Sequence, residues 1–288
     1  MARNAILTRR DWVQDSSVTF SNGDWLDDSP LTNLLDPRPQ FVTIAVDNNS
    51  AASTKFDVDL GSVRQIGLIF FANLKPVASD ATMRVRLSTV SNFATSVYNT
   101  GIVSCRPIDS TPGGEDHWGN STVDGAMLED EYIALGRPRI FIPNSIESAQ
   151  YIRVEIFDSG SGWLQIGCFG ACEIWESPID FAPAPSITFI DESEISRINY
   201  GSVFVTKKGL RRRMNFGFPA LENEEVWNRT LGLALIKGRS QPIVAVAYPD
   251  DEANLEKTSV YGLISTDGVI SNPFFGHYAQ PVQIDQLI

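Results

Sequence analysis

The sequence predicts a mainly β chain in two parts: an N-terminal jelly-roll β-sandwich and a C-terminal β-rich α+β domain with one helix. Three observations predict it. Short apolar and β-branched runs alternate with polar residues at a period of two. Glycine and proline, 21 and 16 of 288 residues, break the chain between those runs. One stretch, at about 222–237, changes to helical spacing.

The runs are FVTIAV (41–46), KFDVDLG (55–61), QIGLIFFANL (65–74) and MRVRLST (83–89), then YIRVEIF (151–157) and WLQIGCFGACEIW (163–175). Met83, Val85 and Leu87 share one face of an extended chain, against Arg84, Arg86 and Ser88. Ile152, Val154 and Ile156 alternate in the same way with Arg153, Glu155 and Phe157. Half-buried antiparallel strands follow, and with them a sandwich or jelly roll over residues 1–178. The segment SPIDFAPAPS (177–186) holds three prolines and reads as a boundary, with a linker at 179–186. Charge divides there too: residues 1–184 carry 13 basic and 23 acidic side chains, and residues 185–288 carry 10 and 12.

Beyond the boundary, SITFI (186–190), SVFVT (202–206) and MNFGF (214–218) read as strands of a domain over 187–288. In LENEEVWNRTLGLALIKG (221–238), Val226, Trp227, Leu231, Ala234, Leu235 and Ile236 predict one apolar stripe. Early acids and a final Lys237-Gly238 suit the helix dipole and a C-cap. Strands PIVAVAYP (242–249) and TSVYGLIS (258–265) follow.

Composition narrows the function. With 43% apolar and 20% charged residues the chain can bury real cores, and its formal charge of −12 disfavours non-specific nucleic-acid binding. The longest near-continuous apolar run, 66–72, is far short of the ~20 residues of a spanning helix. MARNAILTRRDW at the N-terminus lacks the apolar core of a signal peptide. Three cysteines make no disulfide framework, and Cys168 and Cys172 read as buried small hydrophobes. Two histidines, His117 and His277, leave no Cys/His zinc cluster and no HExxH protease. No nucleophile elbow, Walker A or dinucleotide glycine pattern is present, so no enzyme is expected.

Three clusters are candidate sites. Lys207, Lys208, Arg211, Arg212 and Arg213 surround Gly209 and read as a subunit-docking patch for an acidic surface. A solvated hairpin turn or a DNA contact are the alternatives. The polar loop 110–125 carries Glu115, Asp116, His117, Trp118 and Asn120, equipment for stacking on a sugar ring and bonding its hydroxyls, or for a protein contact. No cofactor is expected, and Asp24, Asp27 and Asp28 in SNGDWLDDSP are a candidate structural calcium site that turn formation explains equally well.

An ordered set of pieces in the first part resembles the galactose-binding-like (discoidin-type) jelly roll. FDVDLG (56–61) leads into QIGLIFF (65–71), VRLSTVSNF (85–93) follows, and AQYIRVEIF (149–157) precedes CFGACEIWE (168–176). The resemblance covers roughly residues 20–178. It implies loop-borne ligand contacts, a role for carbohydrate, and in many such domains a structural calcium. The second part looks like phage minor-tail and baseplate proteins. A basic strand, RRRMNFGF, leads to an acid-capped helix, then to the turn from Gly238 to Pro242 and a strand ending near Pro249-Asp250. That resemblance implies a virion protein of a phage tail tip, made in the host cytoplasm. Its expected partners are other tail or baseplate proteins, copies of itself in a ring or trimer, and a host-surface glycan. The alternative is a carbohydrate-binding module of lectin-like adhesion.

Overall fold

Alternating side chains close into two stacked sheets, and the computed structural model describes residues 4–14, 17–47, 50, 52–78, 80–106, 129–160, 162–178, 186–197, 203–265 and 270–287 of them. The first part contains β1 (Ile6–Asp11), β2 (Thr19–Ser21), β3 (Thr43–Ile44), β4 (Phe56–Ile66), β5 (Leu68–Lys75), β6 (Thr82–Ser88), β7 (Tyr98–Asn99) and β8 (Val103–Ser104). A short helix α1 (Glu129–Ala134), absent from the expected elements, precedes β9 (Arg139–Phe141), β10 (Glu147–Phe157) and β11 (Gln165–Glu176). The second part holds β12 (Ser186–Asp191), β13 (Glu194–Arg197), β14 (Val203–Thr206) and β15 (Leu210–Glu222). After the helix come β16 (Ile243–Val246), β17 (Ser259–Ile264), β18 (Ser271–Phe274) and β19 (His277–Gln286).

The jelly roll packs a six-stranded sheet, β2-β4-β10-β6-β7 with β8 beside β6, against β11, β5, β9 and β3. The period of two sets which side chains meet. Met83, Val85 and Leu87 face Ile69, Phe71 and Phe169 in one core, as do Ile152, Val154 and Ile156. The outward residues of the same strands pair among themselves: Arg153 grips Asp57 at 2.6 and 2.7 Å, and Glu155 takes Arg84 at 2.7 Å and Arg86 at 3.2 Å. Phe93 lies over this face, 4.2 Å from the Arg153 guanidinium.

The second sheet does not stop at the jelly roll. Its order is β12-β15-β19-β17-β16-β1-β11-β5-β9, with β18 on β19 and β3 on β11, eleven strands in all. The hinge of this arrangement is β1, where Leu7 pairs with Trp175 of β11 on one side and Ala245 of β16 on the other. Ile6 and Leu7 are both fully buried, on opposite faces and in different cores. A sheet covered on both faces needs apolar residues at every position. That is why β5 reads as an unbroken LIFF: Ile69 and Phe71 face the sandwich, while Leu68 and Phe70 meet Val244, Val246 and Tyr261.

The helix runs without interruption through α2 (Asn223–Glu225), a π-helical turn (Val226–Thr230) and α3 (Leu231–Lys237), and Gly238 ends it at φ +50°. Its buried face is Val226, Thr230, Leu233 and Lys237. The expected stripe is therefore corrected: Trp227, Leu235 and Ile236 point outward, 48%, 77% and 37% exposed. The wider π turn rotates later residues relative to an α-helical count. A second correction concerns FDVDLG, read as a run that ends at Gly61 before the next strand begins. Gly61 stays inside β4 at φ +73°, its N–H bonded to Asp59, where the register with β10 shifts between Asp59 and Arg64. Gly67 makes the turn instead.

Candidate functional site

The second part extends an element that the rest of the molecule leaves uncovered. Between β12 and β15 lies the β13–β14 hairpin, whose two strands, among the described residues, pair only with each other. Ile195 faces Val205 across the ladder and shares its side with Val203, while Phe204 lies on the opposite side. All four are open to solvent, at 65%, 61%, 54% and 58%. Phe189, on β12 at the base of the hairpin, is 60% exposed. A two-stranded hairpin is marginal on its own, and one that carries apolar side chains on both faces needs something to cover them.

Charge surrounds the base. Lys208 pairs with Glu194 and Arg211 with Glu192, while Arg213 is held by both oxygens of Asp285 at 2.6 and 2.9 Å. Asp285 and Asp191 titrate below the usual carboxylate range, the first through the Arg213 hydrogen bond and the second through Ser193. Lys207 is exposed beside them. The five-residue docking patch expected from the sequence is corrected at Arg212, which is 2% exposed. Three successive residues of a strand cannot share one face, so Arg211 and Arg213 turn outward and Arg212 turns in. The exposed feature here is thus the apolar hairpin, with paired cations at its foot. SVFVT read as one more half-buried strand because its alternation gives no sign that neither face has a neighbour.

The other candidates fall elsewhere. Glu115, Asp116, His117, Trp118 and Asn120 lie outside the described residues, as do 179–185 of the linker. Asp24, Asp27 and Asp28 are exposed on a turn held by backbone bonds, Asp24 N–H to Ser53 at 2.8 Å and Val46 N–H to Asp24 at 2.9 Å. Among the described residues no three His, Cys, Asp or Glu side chains group to hold a metal ion. A residue not singled out from the sequence is Trp163, 62% exposed on the rim loop between β10 and β11. Asp158 anchors that loop to its neighbour by accepting from Val77 and Ala78 N–H at 2.7 and 2.8 Å.

The cysteine thiols are sealed in the packed interior, and Asp11, a half-buried residue, turns its Oδ2 inward. Burial raises the Asp11 carboxyl to about 6 and the Cys105 and Cys168 thiols to about 12. It pushes Cys172 and Tyr261 up as well. Protonated, buried thiols are unreactive. No helix among the described residues is long and apolar enough to cross a membrane.

No protein-family model matches this chain, and no curated protein does. Solved structures resemble part of this chain. A Clostridium perfringens module, CBM32-1 from a family 31 glycoside hydrolase, aligns at TM-score 0.38 and 11% identity, covering 55% of this chain and 95% of its own. The family 32 module of C. perfringens NanJ, solved with galactose, gives 0.38 and 16% over 58% and 99%. A Streptococcus pneumoniae fucose-binding module gives 0.36 and 16% over 57% and 95%. Likeness of this degree says nothing of ligand or activity.

Proposed function

We propose that this chain is a non-enzymatic assembly protein that seats itself among other proteins through the β13–β14 hairpin. In finer form it is a tail-tip or baseplate component of a bacteriophage, with the jelly roll projecting as spacer or host-surface contact. The observation that carries the reading is the hairpin itself, with Ile195, Val203, Phe204 and Val205 each more than half exposed. Contiguous apolar surface rimmed by charge marks a protein contact.

Charge favours another copy of the chain as one partner. Residues 191–213 carry six Lys/Arg against three Asp/Glu, in a protein whose net charge is −12. A locally basic element on an acidic molecule steers toward the acidic surface of a neighbour, a head-to-tail contact of the kind that closes rings. Catalysis is not part of the proposal, because the strongly shifted thiols, Cys168 and Cys172, are buried in the packed interior. Amide hydrogen exchange tests the reading. Protection at 194–197 and 203–206 is expected to rise with protein concentration, and protection that stays flat while other surface amides change would contradict it.

Trp163 supports a second reading, carbohydrate binding by the jelly roll. An indole 62% exposed on a rim loop can stack on the apolar face of a sugar ring. A glycan array checks it: binding that is lost in Trp163→Ala or Trp118→Ala while the fold persists supports the module, and an array blank with the wild-type chain removes it.

A further inference from the structure

Arg212 is a buried cation without a buried anion. Its Nε donates to Gln286 Oε1 at 3.2 Å, and its Nη1 to the carbonyls of Glu256 and Lys257 at 3.4 and 2.9 Å. All these acceptors are neutral. The neighbouring carboxylate, Glu256, is committed to Arg139 at 2.5 Å. No described residue offers Nη2 an acceptor. Gln286 occupies the place where an acid would have closed an ion pair; its amide instead bridges Arg212 and, at 2.6 Å, the Leu135 carbonyl. Burying a charge with neutral partners alone costs several kcal/mol, an outlay of about that size needing an offset. Desolvation lowers the Arg212 pKa to about 10, which still leaves the guanidinium charged at neutral pH.

Arg212 also lines a groove of ≈ 580 Å³. Ile187 and Phe189 of β12 and Leu210 of β15 line it, together with Leu135 and Tyr248. Lys257 lies at the same groove. The size falls within the roughly 300–1,000 Å³ of small-molecule sites. The lining joins these apolar side chains to two cations, Arg212 and Lys257, and to one carboxylate, Asp251, which accepts from the Asn254 amide at 3.0 Å. A guanidinium N–H makes a strong, charge-assisted hydrogen bond to a carboxylate oxygen.

We propose that this groove is a binding site for an amphiphilic monocarboxylate, its apolar body on Ile187, Phe189 and Leu210 and its carboxylate at Arg212. The groove shares Phe189 with the foot of the hairpin, and ligand binding in it reads separately from assembly through Ile195, Val203, Phe204 and Val205. Isothermal titration of the full chain with decanoate, and with decyltrimethylammonium as the cationic control, tests it. Decanoate is expected to bind saturably at one per chain, about tenfold or more tighter than the ammonium. Arg212→Met should erase that preference and leave weak, charge-blind binding. Because a buried arginine can also be needed for folding, Leu210→Glu, a change at a half-open groove residue, is the second variant and should repel decanoate in a chain whose circular dichroism is unchanged. Equal binding of the two probes, no saturable binding of decanoate, or decanoate affinity unaltered in folded Leu210→Glu would each overturn the proposal.

Discussion

At the scale of single residues, the clearest consequence of burial is Asp11. Its Oδ1 accepts from Val13 and Ala171 N–H at 3.0 and 3.2 Å, while Oδ2 is buried with no partner among the described atoms. Desolvation dominates and lifts the carboxyl from 3.8 to about 6. A raised acid binds its proton more tightly in the folded state. Stability is therefore fully present below the unfolded pKa, falls as pH climbs from about 4 to about 6, and is level above that. Across that window the wild type should lose about 2–3 kcal/mol relative to Asp11→Asn, as read by urea denaturation at each pH. A difference independent of pH would show that Asp11 titrates normally. Local patterning hides this, since DW after two arginines looks like an exposed chain end. By contrast the burial of Cys168 and Cys172 was legible, because their run, WLQIGCFGACEIW, is apolar apart from Gln165 and Glu173.

At the scale of elements, legibility followed the clarity of the period. MRVRLST and YIRVEIF became β6 and β10 nearly as read, with the expected faces inward. Strand β19 was missed because its inward positions include Gln280 and Gln286, so HYAQPVQIDQ hides its alternation. Strand β1 was missed for a different reason: ILTRRD shows two apolar residues in a row, which is what a strand buried on both faces demands and what a short run cannot advertise. The helix was found at the right place but given the wrong face, since a π turn has no sequence signature. The joining role of β1 sets a stability expectation. Leu7→Ala and Ile6→Ala should each cost about 2–5 kcal/mol in chemical denaturation, values typical of core truncations. Losses near zero would mean that β1 is peripheral.

At the scale of the whole molecule, the two parts read from the sequence share one eleven-stranded sheet. Local patterning reports neighbours along the chain, whereas β1 meets β11 and β16 at separations that no local pattern reveals. The continuity makes a calorimetric expectation: both parts should unfold in a single transition, and two well-separated transitions would contradict a shared sheet. The exposed hairpin is legible only at this scale as well, because exposure is a property of what surrounds a strand. Its sequence told of a strand and of basic residues, and the three-dimensional arrangement turned the emphasis from charge to apolar surface. That surface is the centre of the account. Sedimentation velocity of the purified chain against Phe204→Asp/Val205→Asp tests it most directly. The wild type should form a concentration-dependent oligomer and the double variant, equally folded, should sediment as a monomer. A wild type that stays monomeric at every concentration, or a variant that assembles just as well, would contradict it.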